Sequence, residues 1–470
     1  MRVEAEQDGT SVTLRLTSEN DDTDMVVGAS RGWYGGARRT RGRGTMRLVR
    51  NTASFGVPPT AQIDDLHPDI LGLASAFLVL PFVRTRLTFP RPVSHQFAAV
   101  FFDVTGIEVG PIDGGLKQHQ PRQKRAGLAF SGGTDSTAAA VALGTNTALV
   151  HVKRRKPTRL HWSGYQPWAP IRQEGGLAAC REMARLGWDV QVVSSDLEYL
   201  VSPMGRPTHR AIASPALLLA MTLGLDAIAV GPPLETSYGI GHGQFVDSRE
   251  QWGHLDRLFG AAGLQYVPVA AGLPEVATTK LVIAAGLSSV ARSCVRGGVD
   301  PCYRCVKCLR KVLLTRLLLG HELNDREVSA MVRSASVMRE LLGRPIHHEN
   351  VYAWLCAQYR GSGKEMLALR ALVEADEDPT WNERHYAASL DRLPEQYGAD
   401  VGRRIRRYIE PMSQRDVERV RSWRARSSDP ATLPLSAALR DTLLRDSGRR
   451  AWFAARSSFA AAWRHLRGLG

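Results

Sequence analysis

Ser131-Gly132-Gly133-Thr134-Asp135-Ser136 sets two glycines, hydroxyls and a carboxylate between an apolar run, Ala126 to Phe130, and an Ala-rich one, Thr137 to Leu143. The flanks predict a strand, a tight turn and a helix start. Two glycines let the backbone turn with its N–H groups facing inward, and the unsatisfied donors of a helix's first turn add partial positive charge there. Such a turn cradles phosphate. Ser131 and Ser136 add hydroxyl donors, and Asp135 is placed either to cap the helix or to hold a magnesium ion. No Lys follows, so the GxxxxGK phosphate loop is not what stands here. The strand-to-helix context separates the motif from an ordinary Gly-Gly turn.

A second cluster has metal chemistry. Cys294, Cys302, Cys305 and Cys308 follow the spacing C-x7-C-x2-C-x2-C, with only Cys180 and Cys356 elsewhere. Four thiolates can close a tetrahedral site and tie a loop-rich segment together without a large core, which predicts structural Zn2+. An iron–sulfur cluster shares the ligand set, and colour separates the two. Arg310 and Lys311 follow the last cysteine, where they would reach a phosphate or lie on the surface.

Around these motifs the chain is built as a folded, globular protein. Its 470 residues are 44% hydrophobic, enough for several cores. The N-terminus has no basic segment followed by an apolar one, and the most apolar stretch, Ile70 to Val83, is too short and interrupted to span a bilayer, so no membrane association is expected and the protein reads as cytoplasmic. The net charge of +15 rests on Arg, with few Lys, and much of it lies beyond residue 400. With Trp423, Trp452 and Trp463 interleaved, that basic tail is either a solvated helical face or a surface for nucleic acid, and the solvated face is the simpler reading.

Patterning divides the chain into four parts. Residues 1–120 read as an α+β module: Val12, Leu14 and Leu16 alternate as in a half-buried strand, a Gly/Arg-rich loop runs from Gly32 to Gly44, and His67-Pro68-Asp69 precedes a helix from Ile70 to Leu80. His67 is read as structural. Residues 121–290 alternate strand and helix, with strands at Ala126 to Phe130, Thr147 to Val152, Asp189 to Ser194 and Asp226 to Val230, and helices near Thr137 to Leu143, Glu174 to Leu186 and His209 to Leu223. That alternation predicts a doubly wound parallel sheet, an α/β fold whose ligands bind beyond the carboxyl ends of the strands. Loops 131–136, 151–165, 194–198 and 231–242 should then converge on one crevice. Residues 291–311 form the cysteine segment and 312–470 a helical, Arg-rich region.

An SGGxDS loop followed by a C-x2-C-x2-C cluster with a further Cys upstream resembles the PP-loop ATP pyrophosphatases, which cleave ATP to AMP and pyrophosphate on a HUP-like sheet. Two families of that group are similar. The zinc segment of cyano-deazaguanine synthase also carries an Arg after its last Cys, as Cys308-Leu309-Arg310 does here. The UDP-N-acetylmuramoyl-L-alanyl-L-glutamate epimerase family covers more of the chain: Glu235-Thr236-Ser237-Tyr238-Gly239, Leu273-Pro274-Glu275-Val276, Ser293-Cys294 and Cys305-Val306-Lys307-Cys308 stand in its order. Thr134 replaces a Lys of that family's loop, and the gap from Cys294 to Cys302 is shorter.

The resemblance implies ATP and Mg2+ as ligands of Ser131, Gly132, Gly133, Thr134, Asp135 and Ser136. Lys280 is similar to a Lys that some PP-loop enzymes point at phosphate, and the loop after Val152 would flank adenine. A carboxylate, such as a nucleotide-linked peptide of peptidoglycan precursor type, would be adenylated, and the terminal L-Glu epimerised through its acyl adenylate. Proton transfer on two faces needs groups near the α carbon; Glu235, Ser237, Tyr238, His242 and His209 fall in the expected crevice, and Asp196 and Glu198 offer a magnesium or ribose contact. Insertion of nitrogen or sulfur into a deazaguanine or tRNA base is the alternative. A non-enzymatic, zinc-bearing nucleic-acid-binding protein is the third reading.

Overall fold

The computed structural model describes residues 1–19, 21–27, 45–155, 172–247, 249–373, 378–429 and 441. The Gly/Arg-rich stretch from Gly32 to Gly44, residues 156–165 of the second crevice loop, and Trp452 and Trp463 of the tail lie outside them. Two compact units divide the chain: the first takes 1–239, 245–302 and 381–421, the second 240–244, 303–380 and 422–470.

The first unit is mixed α/β. Its elements run β1 (Arg2–Asp8), β2 (Ser11–Thr17), β3 (Met25–Val27), β4 (Thr45–Leu48), β5 (Thr52–Gly56), α1 (Pro68–Val79), β6 (Arg86–Ser94), α2 (His95–Thr105), β7 (Glu108–Asp113), β8 (Ala126–Ala129), α3 (Thr134–Leu143), β9 (Ala148–Arg154), α4 (Glu174–Arg185), β10 (Asp189–Ser195), β11 (Val201–Ser202), α5 (Ser214–Leu218), β12 (Ala227–Val230), α6 (Leu234–Ser237), α7 (Arg249–Ala261), β13 (Gln265–Pro268) and α8 (Glu275–Ala284). Ten strands form one sheet in the order β13-β12-β8-β9-β10-β5-β2-β1-β6-β7. The run from β13 to β10 is wholly parallel, as the strand–helix alternation predicts. Counted along the chain, its five strands lie as 3-2-1-4-5, so the direction of travel reverses between β8 and β12.

Side chains alternate between two cores. Leu128 and Leu149 enter one, together with Ala138 to Ala140 of α3, Met183 of α4 and Leu281 of α8. Ala129 and Val150 enter the other, with Leu217 of α5 and Leu258 and Phe259 of α7. Helices thus cover both faces, and the central strands β8 and β12 are buried on both sides.

Residue 120 is not a break in this sheet. β5 pairs antiparallel with β10, and β2 and β1 continue outward to β6 and β7, so five strands of the first 113 residues extend the same sheet, while β3 and β4 pair with β11 in a separate three-stranded one. The alternation read in β2 holds, with Val12, Leu14 and Leu16 buried. His67 caps α1, its Nδ1 accepting from the Asp69 amide at 3.3 Å while Nε2 lies 2.9 Å from the Lys117 carbonyl. The C-terminal helical region does not stay together either: helix Glu395–Arg406 places Tyr397, Val401 and Ile405 in the core of α3, because an amphipathic helix goes where its apolar stripe is covered.

The second unit is helical among its described residues, with helices Val306–Leu318, Asp325–Val332, Ala335–Leu341, Glu349–Gln358 and Lys364–Val373. Asn324 caps the second of these through the amides of Arg326 and Glu327. Glu365, 1% exposed, accepts from Ser329 Oγ and Arg333 Nε at 2.7 Å each, which holds its carboxyl below the usual range despite burial. No helix among the described residues is long and apolar enough to cross a membrane.

Candidate functional site

Phe130 donates the last ladder bond of its strand to Val150, at 2.9 Å, and the chain then enters the glycine turn. Gly132 has φ +77°, a left-handed conformation costly for residues with a Cβ. A Cβ there would also stand 3.0 Å from Ala179 Cβ and from Gly176 Cα. Gly133, not Asp135, occupies the N-cap of α3, so the helix starts at Thr134, earlier than the Ala-rich run suggested. The Gly133 carbonyl accepts from the Thr137 amide and from the hydroxyls of Ser136 and Thr137, at 2.9–3.0 Å. Asp135 turns sideways, accepting from Thr278 Oγ1 of α8 at 2.7 Å.

Hydroxyls gather over this turn. Ser131 Oγ and Ser136 Oγ are 3.0 Å apart, and Thr134 Oγ1 and Ser293 Oγ 2.9 Å. The amides of Ser131 and Gly133 reach Ser136 Oγ and Ser131 Oγ at 3.3 Å, and that of Thr134 reaches Ser293 Oγ at 3.1 Å. Each of these three N–H groups therefore ends on a different rotatable hydroxyl oxygen at the start of a helix. Ser131 is exposed and Gly133 half-buried, so the turn opens to solvent. Gly231, the first residue after β12, approaches closely enough that a Cβ would lie 3.1 Å from the Asp135 carbonyl oxygen, which places the turn where the strand order reverses.

His151 supports the turn from below. It is 4% exposed, its Nδ1–H donates to the Phe130 carbonyl at 2.9 Å, and its Nε2 is buried without a partner. Burial pushes its pKa below the usual imidazole range, so the ring is neutral. Gly176 leaves room for it: a Cβ there would meet His151 Cε1 at 2.7 Å and the Ser131 carbonyl oxygen at 3.2 Å. The Gly175-Gly176 pair opening α4 carries a signal comparable to that of the Gly132-Gly133 pair, and sequence reasoning passed over it.

The cysteine segment begins beside the turn. The Arg292 amide donates to the Gly132 carbonyl at 2.7 Å, Ser293 bonds Thr134, and Cys294 follows. The sulfurs of Cys294, Cys302, Cys305 and Cys308 all lie within 4.8 Å of one another. Tetrahedral zinc thiolates with ~2.3 Å bonds put sulfurs roughly 3.8 Å apart, so these four can close a site for a metal ion such as zinc. Cys294 Sγ already accepts the amides of Gly297 at 3.1 Å and Cys302 at 3.4 Å. Cys180 and Cys356 are buried, and burial pushes each thiol up to about 12.

The other expected site residues have structural partners. Glu235 is fully buried, and both carboxylate oxygens accept the Glu275 amide, at 3.0 and 3.1 Å. It caps α8. Ser237 donates to the Pro232 carbonyl at 3.2 Å. Tyr238, 4% exposed, packs among Phe245, Trp252 and Tyr386, and burial raises its phenol far above neutrality. His242 falls in the second unit, edge-on to His347 with 5.3 Å between ring centres. Lys280 pairs with Glu383 at 2.8 Å; two residues past Thr278, it is turned about 200° around the helix from the face that meets Asp135. Asp196 pairs with Arg50 and Glu198 with Arg154, while His209 opens a 3-10 turn and stays exposed.

The site thus belongs to a mixed α/β protein with a large, mostly parallel sheet. A family model described as "Family of unknown function (DUF6395)" matches residues 254–424, a stretch that contains the four cysteines and Ser293 but not the glycine turn. No curated protein and no solved structure matches the chain.

Proposed function

We propose that this protein is an AMP-forming ATP pyrophosphatase of the PP-loop type that activates a carboxylate, with Ser131 to Ser136 receiving the departing pyrophosphate. One observation carries this: the glycine turn sits at the β8/β12 reversal of strand order, where doubly wound sheets bind ligands, with Gly132 left-handed and loop amides each bonded to a rotatable hydroxyl. A carboxylate oxygen would attack the α-phosphorus as the bond to the bridging oxygen breaks; pyrophosphate leaves with that electron pair and an acyl adenylate remains. The amide of Gly133, the hydroxyls of Ser131 and Ser136 and the N-terminus of α3 would bind the leaving group's charge. Magnesium, when bound, spreads that charge further, and Asp135 is the carboxylate within the loop itself. The donor set of the cysteine segment, four thiolates with amide support, favours Zn2+ in a structural role.

The reading stops at adenylation. Epimerisation needs a base and an acid near one carbon, and Glu235 and Tyr238 are held in a helix cap and an aromatic core. Sulfur insertion draws no support from Cys180 or Cys356, whose buried thiols stay protonated. Incubation with ATP, magnesium and a panel of carboxylates, including UDP-muramoyl-L-Ala-L-Glu, tests the reading by chromatography: AMP is expected, and ADP as product would remove it.

A further inference from the structure

We propose that the metal of the cysteine segment sets the geometry of the phosphate turn through Arg292 and Ser293, so that Ser293 is a positioning residue and the metal a determinant of phosphate affinity as well as of fold. The inference rests on the function proposed above for its consequence, but not for its geometry. Ser293 is bonded directly to Cys294. Its Oγ accepts the Thr134 amide at 3.1 Å and lies 2.9 Å from Thr134 Oγ1, while the preceding amide, that of Arg292, donates to Gly132 at 2.7 Å. The residue after Cys294 is tied as well: the Val295 carbonyl accepts the Arg172 amide at 2.8 Å, just before α4. A Cβ at Gly175 would stand 2.9 Å from the Gly298 carbonyl oxygen and 3.2 Å from Arg292 Cβ, so the start of α4 packs on the same segment.

Three successive residues, 292 to 294, therefore bond the first glycine, hold the first residue of α3 and supply a sulfur to the metal set. Residues 295–301 have no regular secondary structure, and the turn from Cys294 to Cys302 is held by amides donated to Cys294 Sγ. A metal fixes that sulfur; without it the segment depends on single hydrogen bonds. Loosening Cys294 frees Ser293 and Arg292 together, and the turn loses the donor to its Gly132 carbonyl and the acceptor of its Thr134 amide, one on each side of Gly133. The metal would thus control whether the amides of the turn face one point, the condition for binding a multiply charged anion.

The test uses the full chain with its metal bound. Pyrophosphate and MgATP affinities are measured by calorimetry, and amide exchange of residues 131–137 by mass spectrometry, before and after stoichiometric metal release by a mercurial. Exchange in that peptide should rise, with α1 unchanged, and pyrophosphate affinity should fall at least about tenfold. Ser293→Ala should lose a similar factor while keeping its metal, and Ser293→Thr should recover most of it. Unchanged exchange and affinity after metal release, or wild-type affinity in metal-replete Ser293→Ala, overturns the inference. If metal release unfolds the protein, the Ser293 pair still decides. If the wild type binds neither pyrophosphate nor ATP while exchange still follows the metal, the nucleotide reading falls and the metal's hold on the turn stands.

Discussion

Thr134 and Ser293, 159 positions apart in the chain, meet hydroxyl to hydroxyl at 2.9 Å, and the Thr134 amide points at the same Ser293 oxygen. The pairing joins the helix that follows β8 to the segment that carries the cysteines. It also gives a physical meaning to Thr134, which stands where the resembled family has a Lys. A hydroxyl can bond a neighbouring serine at short range, whereas a Lys would bring a charge on a flexible stem to the same place. An anion bound at the turn would then meet charge from backbone amides and the helix start rather than from an ammonium group.

Gly132→Ala should lose both stability and pyrophosphate binding. The left-handed backbone alone costs an L-residue roughly 1–2 kcal/mol, and here the Cβ is also crowded by Gly176 and Ala179 at 3.0 Å. Gly9 is a control, because its φ of +55° is also left-handed yet a Cβ there meets nothing within 4 Å. Urea unfolding should show a loss in both variants, larger for Gly132→Ala, and calorimetry should show lost pyrophosphate binding only at Gly132. Equal binding by the two variants would separate the turn from phosphate.

Glu235 decides between a cap and a base. Its carboxylate accepts the amide of Glu275, the first residue of α8, whose N-cap Pro274 offers no side-chain acceptor. Glu235→Ala should therefore cost about 1–3 kcal/mol, since a buried donor loses its partner, and Glu235→Gln, which keeps an oxygen, should cost less. AMP formation per folded molecule should survive in Glu235→Gln. Lost turnover with an unchanged melting temperature would instead make Glu235 a chemical group.

What the sequence exposed and what it hid follow from the range of the interactions. β8, the glycine turn and β9 announce themselves because apolar runs and glycines are local signals. The start of α3 moved to Thr134 because Gly133, rather than the carboxylate, takes the cap. The expected helix from His209 to Leu223 appears as a 3-10 turn capped by Thr208 and the short α5, with Pro215 in its first turn. Nothing local could show that β5 pairs with β10, since Phe55 and Ser195 become partners only in the folded sheet. Ser293 was visible as a neighbour of Cys294, but its reach to Thr134 was not.

Lys280 should matter little. Its side chain is 42% exposed and its ammonium pairs with Glu383, a geometry worth less than about 1 kcal/mol. Lys280→Ala should shift the urea midpoint only slightly and leave MgATP affinity within about twofold, because the α8 face that meets the turn is that of Thr278. A tenfold loss of ATP affinity in this variant would mean that the Glu383 pair opens to deliver the lysine to phosphate.

His385 should make the fold acid-sensitive between about pH 6.5 and 4. Burial, and to a smaller degree the Arg406 charge, lowers its pKa to about 4; the ring is 1% exposed, with Nε2 3.2 Å from Ser389 Oγ and Nδ1 buried without a partner. In that window the unfolded chain binds a proton at this imidazole and the folded chain does not, so stability falls as pH falls. A depression of this size corresponds to a loss on the order of 3 kcal/mol from the neutral plateau to pH 4. Asp256 works in the opposite sense: burial raises its carboxyl to about 6, so the folded chain gains a proton there as pH falls toward 4. The comparison that isolates His385 is therefore wild type against His385→Gln, followed by urea unfolding at pH 7, 6, 5 and 4. The variant should start less stable at pH 7, because it disturbs a packed site, and should decline more shallowly below pH 6.5. Parallel declines would show that the imidazole gains its proton within the fold, and that its burial is relieved by a movement of helix Glu395–Arg406 or of the Ser389 turn.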